Sequence, residues 1–62
     1  MLPIAQQYIN NLGRDDAIRR FVADLEAGDP DNFKQGYTRP NAIIATAEAF
    51  DVSRKEVEGL LS

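Results

Sequence analysis

Apolar positions recur at helical intervals in four separate stretches of this chain, and nothing alternates with period two long enough to suggest a strand. Ile4, Tyr8, Ile9 and Leu12 form the first set, opened by Pro3, which a first helical turn tolerates, and closed by Gly13. Ile18, Phe21, Val22 and Leu25 make the cleanest stripe, with Asp15 or Asp16 available as its cap and Gly28 and Pro30 to stop it. Residues Asp29 to Arg39 carry no period and form the longest connection. Thr38 then offers a cap, with Pro40 inside the first turn of a third helix bearing Ile43, Ile44, Ala47 and Phe50. Val57, Leu60 and Leu61 mark a fourth. There are no internal repeats and no low-complexity tract. The pattern predicts an all-α fold: a compact bundle of four short helices, forming one small domain over residues 1–62.

The last two helices say most about shape. Between them lies the turn Asp51-Val52-Ser53, too short for anything but a tight connection. Ser53 can cap the fourth helix by accepting from the Glu56 amide, while the Glu56 carboxylate reaches back to the Ser53 amide. Over residues 43–61 this spacing resembles the helix-turn-helix superfamily. Ala47 matches the small residue at that family's helix crossing, Val52 the plug of its turn, Ser53 its cap, and Val57 and Leu60 its core-facing positions. One position departs from the pattern, because Asp51 stands where the family favours Gly and accepts left-handed geometry less readily. The resemblance implies a dimeric DNA-binding regulator with residues 54–61 in the major groove, offering Arg54, Lys55, Glu58 and Ser62 outward.

Charge weighs against that implication. Through Asp31 the chain has Arg14, Arg19 and Arg20 against six acids, and from Asn32 onward four cations balance four acids. The net charge of −3 therefore resides in the first half, and neither half is basic. A nucleic-acid binder draws most of its affinity from phosphate neutralisation and shows a basic footprint. Glu58 would meet the phosphates with the wrong sign, and the alternative for this helix is a solvated face with Arg54 and Glu58 paired at i,i+4.

With 62 residues the domain buries only roughly 60% of its unfolded surface. A core of this size rarely supplies more than about 3–5 kcal/mol. The chain has neither Cys nor His, so a disulfide or a thiolate or imidazole metal site is not the supplement, and no cofactor is expected. Self-association as a homodimer, or binding to another protein, takes that place. No apolar run approaches the ~20 residues of a membrane span, and no charged-then-apolar signal opens the chain, so the expectation is a soluble, cytoplasmic protein.

Candidate contact residues concentrate in the 33–39 loop. Phe33 and Tyr37 interleave with Lys34 and Arg39 around the flexible Gly36, and aromatic and Arg side chains dominate binding hot spots. The same set could stack on single-stranded nucleic acid, or the two rings could fold back as a lid over an undersized core; for Phe33 the lid is the expectation. Arg19 and Arg20 could form a basic spot, but Asp15–Arg19, Asp16–Arg20 and Arg20–Asp24 are i,i+4 pairs that neutralise it. Catalysis finds no support: there is no His base, no Cys nucleophile and no Gly-rich phosphate loop, and Ser53 is better explained as a cap. Asp29-Pro30-Asp31-Asn32 faintly echoes a calcium loop, yet Phe33 stands at a ligand position and the glycine is missing. The reading is a non-catalytic protein-interaction module, an adaptor, inhibitor or regulator, with Phe33, Lys34, Tyr37, Arg39, Arg54, Lys55 and Glu58 as partner-binding residues. The helix-turn-helix DNA reader is the alternative.

Overall fold

The second apolar stripe becomes the centre of the molecule. In the computed structural model, which describes residues 1–62, the helices are α1 (Pro3–Leu12), α2 (Arg14–Ala27), α3 (Arg39–Phe50) and α4 (Arg54–Leu61), with a 3-10 turn at Pro30–Asn32. There are no strands, only an isolated bridge between Asp29 and Lys34. The longest helix, α2, packs against the other three, and α3 also touches α1 and α4; α1 and α4 do not meet. Ile18 and Val22 of α2 are buried, and Phe21 and Leu25 pack at the edge of the core. An aromatic ladder ties three helices together. Tyr8 meets Phe21 edge-on at 5.1 Å between ring centroids, and Phe21 meets Phe50 in the same way at 5.2 Å.

Small residues supply more than half of the buried apolar positions. In α1 it is Ala5 that is fully buried, while Ile4 and Leu12 remain exposed. In α3 the buried line is Ala42, Thr46, Ala49 and Phe50 with Ala47 beside it; Ile43 packs at its margin and Ile44 is exposed. Alanines let helix backbones approach closely, so the buried face is turned away from where isoleucine spacing alone would put it. The core's one polar member, Thr46, has a buried hydroxyl without a hydrogen-bond partner.

The helix ends are closed by devices that partly differ from those the sequence suggests. Neither Asp15 nor Asp16 caps α2. Gly13 occupies the cap position at φ 83°, and both acids lie in the first turn, where they oppose the helix dipole's positive end. Thr38 is the residue before α3, but its carbonyl, not its hydroxyl, serves the helix by accepting from the Ala42 amide at 2.8 Å. At the other end of α3, Asp51 adopts the left-handed conformation (φ 60°, ψ 44°), and the Val52 amide returns to the Ala47 carbonyl at 3.0 Å. That is a Schellman-type closure, with an Asp in the place where Gly is usual. Ser53 caps α4 as expected, its Oγ accepting from the Glu56 amide at 3.0 Å. The Glu56 carboxylate does not reach back, because it pairs with Arg14 across the molecule. That hydrogen bond raises the Arg14 pKa above its usual value. Arg19 makes a second tie to α4, its Nε donating to the Leu60 carbonyl at 2.8 Å.

Ala47 is 6% exposed where α3 turns into α4. Ala47→Leu is expected to cost about 1–3 kcal/mol by overpacking, seen as a lower urea midpoint at unchanged slope.

Candidate functional site

Two neighbouring regions hold the residues singled out in the sequence. The first is the connection between α2 and α3, which is built far more tightly than its composition suggests. Gly28 ends α2 at φ 69°, its amide donating to the Asp24 carbonyl at 3.2 Å. Asp29 and Lys34 then exchange backbone hydrogen bonds, Asp29 N to Lys34 O at 3.0 Å and Lys34 N to Asp29 O at 2.9 Å. Inside this closed turn the Asn32 amide donates to the Asp29 carbonyl and the Phe33 amide to that of Pro30. Asn32 Nδ2 also donates to the Asp29 carboxylate at 2.6 Å. The chain then returns along the end of α2, where the Tyr37 amide donates to the Leu25 carbonyl at 2.8 Å.

Gly36 is the reason the return can lie so close. A Cβ there would stand 1.8 Å from the Glu26 carbonyl oxygen, and one on Gly28 would stand 2.5 Å from the Gly36 nitrogen. Gly36 is not the flexible point that its place between Phe33 and Arg39 suggests. Its role is close approach, backbone against backbone, where no side chain fits.

This frame carries Phe33 outside the molecule. Phe33 adopts the left-handed conformation (φ 57°, ψ 31°) and its residue surface is 98% exposed. The expected lid over the core is therefore absent for Phe33: the closed Asp29–Lys34 turn points it away from the helices. Tyr37 is 49% exposed and lines a shallow cavity of about 310 Å³ with Asp24, Leu25, Gly28, Asp29, Lys34 and Gln35. Phe33→Ala and Tyr37→Ala are each expected to move the melting temperature by no more than ordinary surface substitutions, which fall within about 0.5 kcal/mol. A thermal melt followed by circular dichroism checks both.

The second region is the groove between α3 and α4. Arg39, Pro40, Ile43, Ile44, Arg54 and Glu58 line a cavity of about 220 Å³ there. Ile44 and Arg54 continue into an adjoining cavity with Ala47, Glu48, Asp51 and Val52. Arg39, Arg54 and Glu58 are thus brought together, while Lys55 lies exposed in the first turn of α4 outside both cavities. The anticipated Arg54–Glu58 pair does not form; Arg39 instead donates to Glu26 of α2 at 3.1 Å. Glu26 was not anticipated, since its pairing depends on the loop returning to α2. On α2 itself, Arg20 pairs with Asp24 as the spacing predicts, at 3.5 Å. Arg19 takes Asp16 at i,i+3 in place of the predicted Asp15, and Asp16–Arg20 is not made. Asp24 additionally accepts from Tyr8 Oη at 2.5 Å, and chiefly for that reason the Tyr8 pKa is raised.

The cavities are shallow and open, and no group of three or more acids is placed to hold a metal ion. No helix is long and apolar enough to cross a membrane. Compared with known family models, curated proteins and solved structures, the chain matches none.

Proposed function

We propose that this chain is a non-catalytic protein-interaction module, an adaptor, inhibitor or regulator, that docks through the 33–39 loop and the adjoining helix faces. One observation carries the reading: the Asp29–Tyr37 segment is held by backbone hydrogen bonds on both sides, with Phe33 in solvent and Tyr37 half exposed. A loop ordered before binding loses little entropy on docking, and exposed aromatic side chains supply the contact area. Lys34 lies within this surface and Arg39 at its far end. The α3–α4 groove, which Arg39 also lines, extends it toward Arg54 and Glu58, and Lys55 is exposed on the first turn of α4 beyond the groove.

The electrostatics of α4 favour a protein over DNA as the target. Arg39 and Arg54 share their groove with Glu58, and Arg39 is already matched by Glu26. Glu48 and Asp51 flank Arg54 on its other side. A duplex laid along α4 would meet alternating signs instead of a basic stripe. The experiment is fluorescence anisotropy with labelled mixed-sequence duplex DNA across a salt series. The expected result is no binding even at low salt. Binding that weakens steeply with rising salt would replace this reading with the helix-turn-helix one.

A further inference from the structure

We propose that Phe33 is the anchor of the docking surface, and that it enters an apolar socket on a protein partner whose rim carries Lys or Arg side chains. The proposal rests on the interaction-module reading above and adds the residue that does the anchoring and the chemistry it meets.

Three independent features point to it. The first is exposure: Phe33 is the most exposed large apolar residue of the chain, far ahead of Met1 and Leu2. Its ring gives the fold nothing, so its burial is left entirely to another molecule. The second is conformation. A bulky side chain in the left-handed region is uncommon, and Gly or Asn would occupy this turn with less strain. The strain is sustained by the Asp29–Lys34 pair and by the Phe33 amide on Pro30, which together fix where the side chain leaves the surface. An aromatic ring also has only two side-chain torsions to immobilise, so little freedom remains to be lost on insertion.

The third feature is charge. Residues 24–34 hold four acids and one lysine. Asp24 is matched by Arg20 and Glu26 by Arg39, whereas Asp29 and Asp31, on the turn that carries Phe33, have no cationic partner. A phosphate surface, whether nucleic acid or anionic bilayer, would bring negative charge against these two carboxylates. A protein socket edged with Lys or Arg satisfies both. A hot-spot ring surrounded by polar residues that exclude water is the usual anatomy of a protein–protein anchor.

The test places a photo-reactive residue at the anchor. The full chain carrying Phe33→p-benzoylphenylalanine is expressed in its source cell, beside control chains with the same residue at Leu12 or Ile44. Crosslinked residues are mapped by mass spectrometry, and the partner is then purified. The expected adduct at position 33 lies on an apolar residue of another protein with Lys or Arg beside it. Phe33→Ala should then weaken binding of that purified partner about thirtyfold or more at unchanged melting temperature. Asp31→Asn should weaken it less, by an amount that disappears in high salt. Adducts from Leu12 or Ile44 alone would overturn the anchor while leaving the interaction module standing. An adduct on a second copy of this chain, on nucleic acid or on an apolar site without cations would also overturn it. No adduct from any position would count against the module itself.

Discussion

Phe50→Ala is expected to leave the chain largely unfolded at room temperature. Phe50 is 2% exposed, the largest fully buried side chain, and it ends the aromatic ladder that runs from Tyr8 through Phe21. Removing a buried Phe costs about 3–5 kcal/mol, because transfer energy is lost and a cavity remains. The domain has about that much to lose. Its core consists of nine buried apolar residues, five of them alanine, and includes the unpartnered Thr46 hydroxyl. Far-UV circular dichroism should show loss of most helical signal and no cooperative thermal transition. Phe50→Leu, which keeps much of the volume, should retain a transition at lower temperature.

Gly36→Ala is expected to detach the loop and leave the four-helix body standing. The added Cβ would sit 1.8 Å from a backbone oxygen that belongs to α2 and cannot swing aside, so the loop has to move. An accommodation of this kind costs about 1–3 kcal/mol or more. It should break the hydrogen bond from Tyr37 to Leu25 and release Arg39 from Glu26. In a ¹H–¹⁵N correlation spectrum, resonances of residues 28–39 should shift while those around Ile18, Val22 and Val57 stay close to wild type. On the proposed function, the variant should also lose its partner.

The helices were legible in the sequence because each apolar stripe is bounded by a proline, a glycine or a capping Ser. Ser53 shows this most clearly, its spacing to Glu56 predicting a hydrogen bond that is made. The inward faces were less legible. Periodicity gives weight to large residues, but close helix packing selects Ala5, Ala42 and Ala49, and it leaves Ile4 and Ile44 outside. Of the charge pairs expected from spacing, Arg20 keeps Asp24, which also accepts from Tyr8, whereas Arg19 takes Asp16 and no Arg54–Glu58 pair forms; Glu56 and Arg39 find partners far along the chain, in Arg14 and Glu26.

The candidate site was legible as composition and not as conformation. The aromatics and cations of residues 33–39 stood out, but nothing local shows that Gly28 and Gly36 meet backbone to backbone. Nor does anything local show that Phe33 faces water. Both depend on the loop closing on itself through Asp29 and Lys34, a contact between residues that individually favour no structure.

Amide hydrogen exchange of the wild-type chain tests most directly whether the helical body holds this loop in a fixed form. The amides of Asp29, Lys34 and Tyr37 should exchange on the order of a hundredfold or more slower than in an unfolded peptide. Exchange of all three at unfolded-peptide rates, beside protected helices, would contradict that.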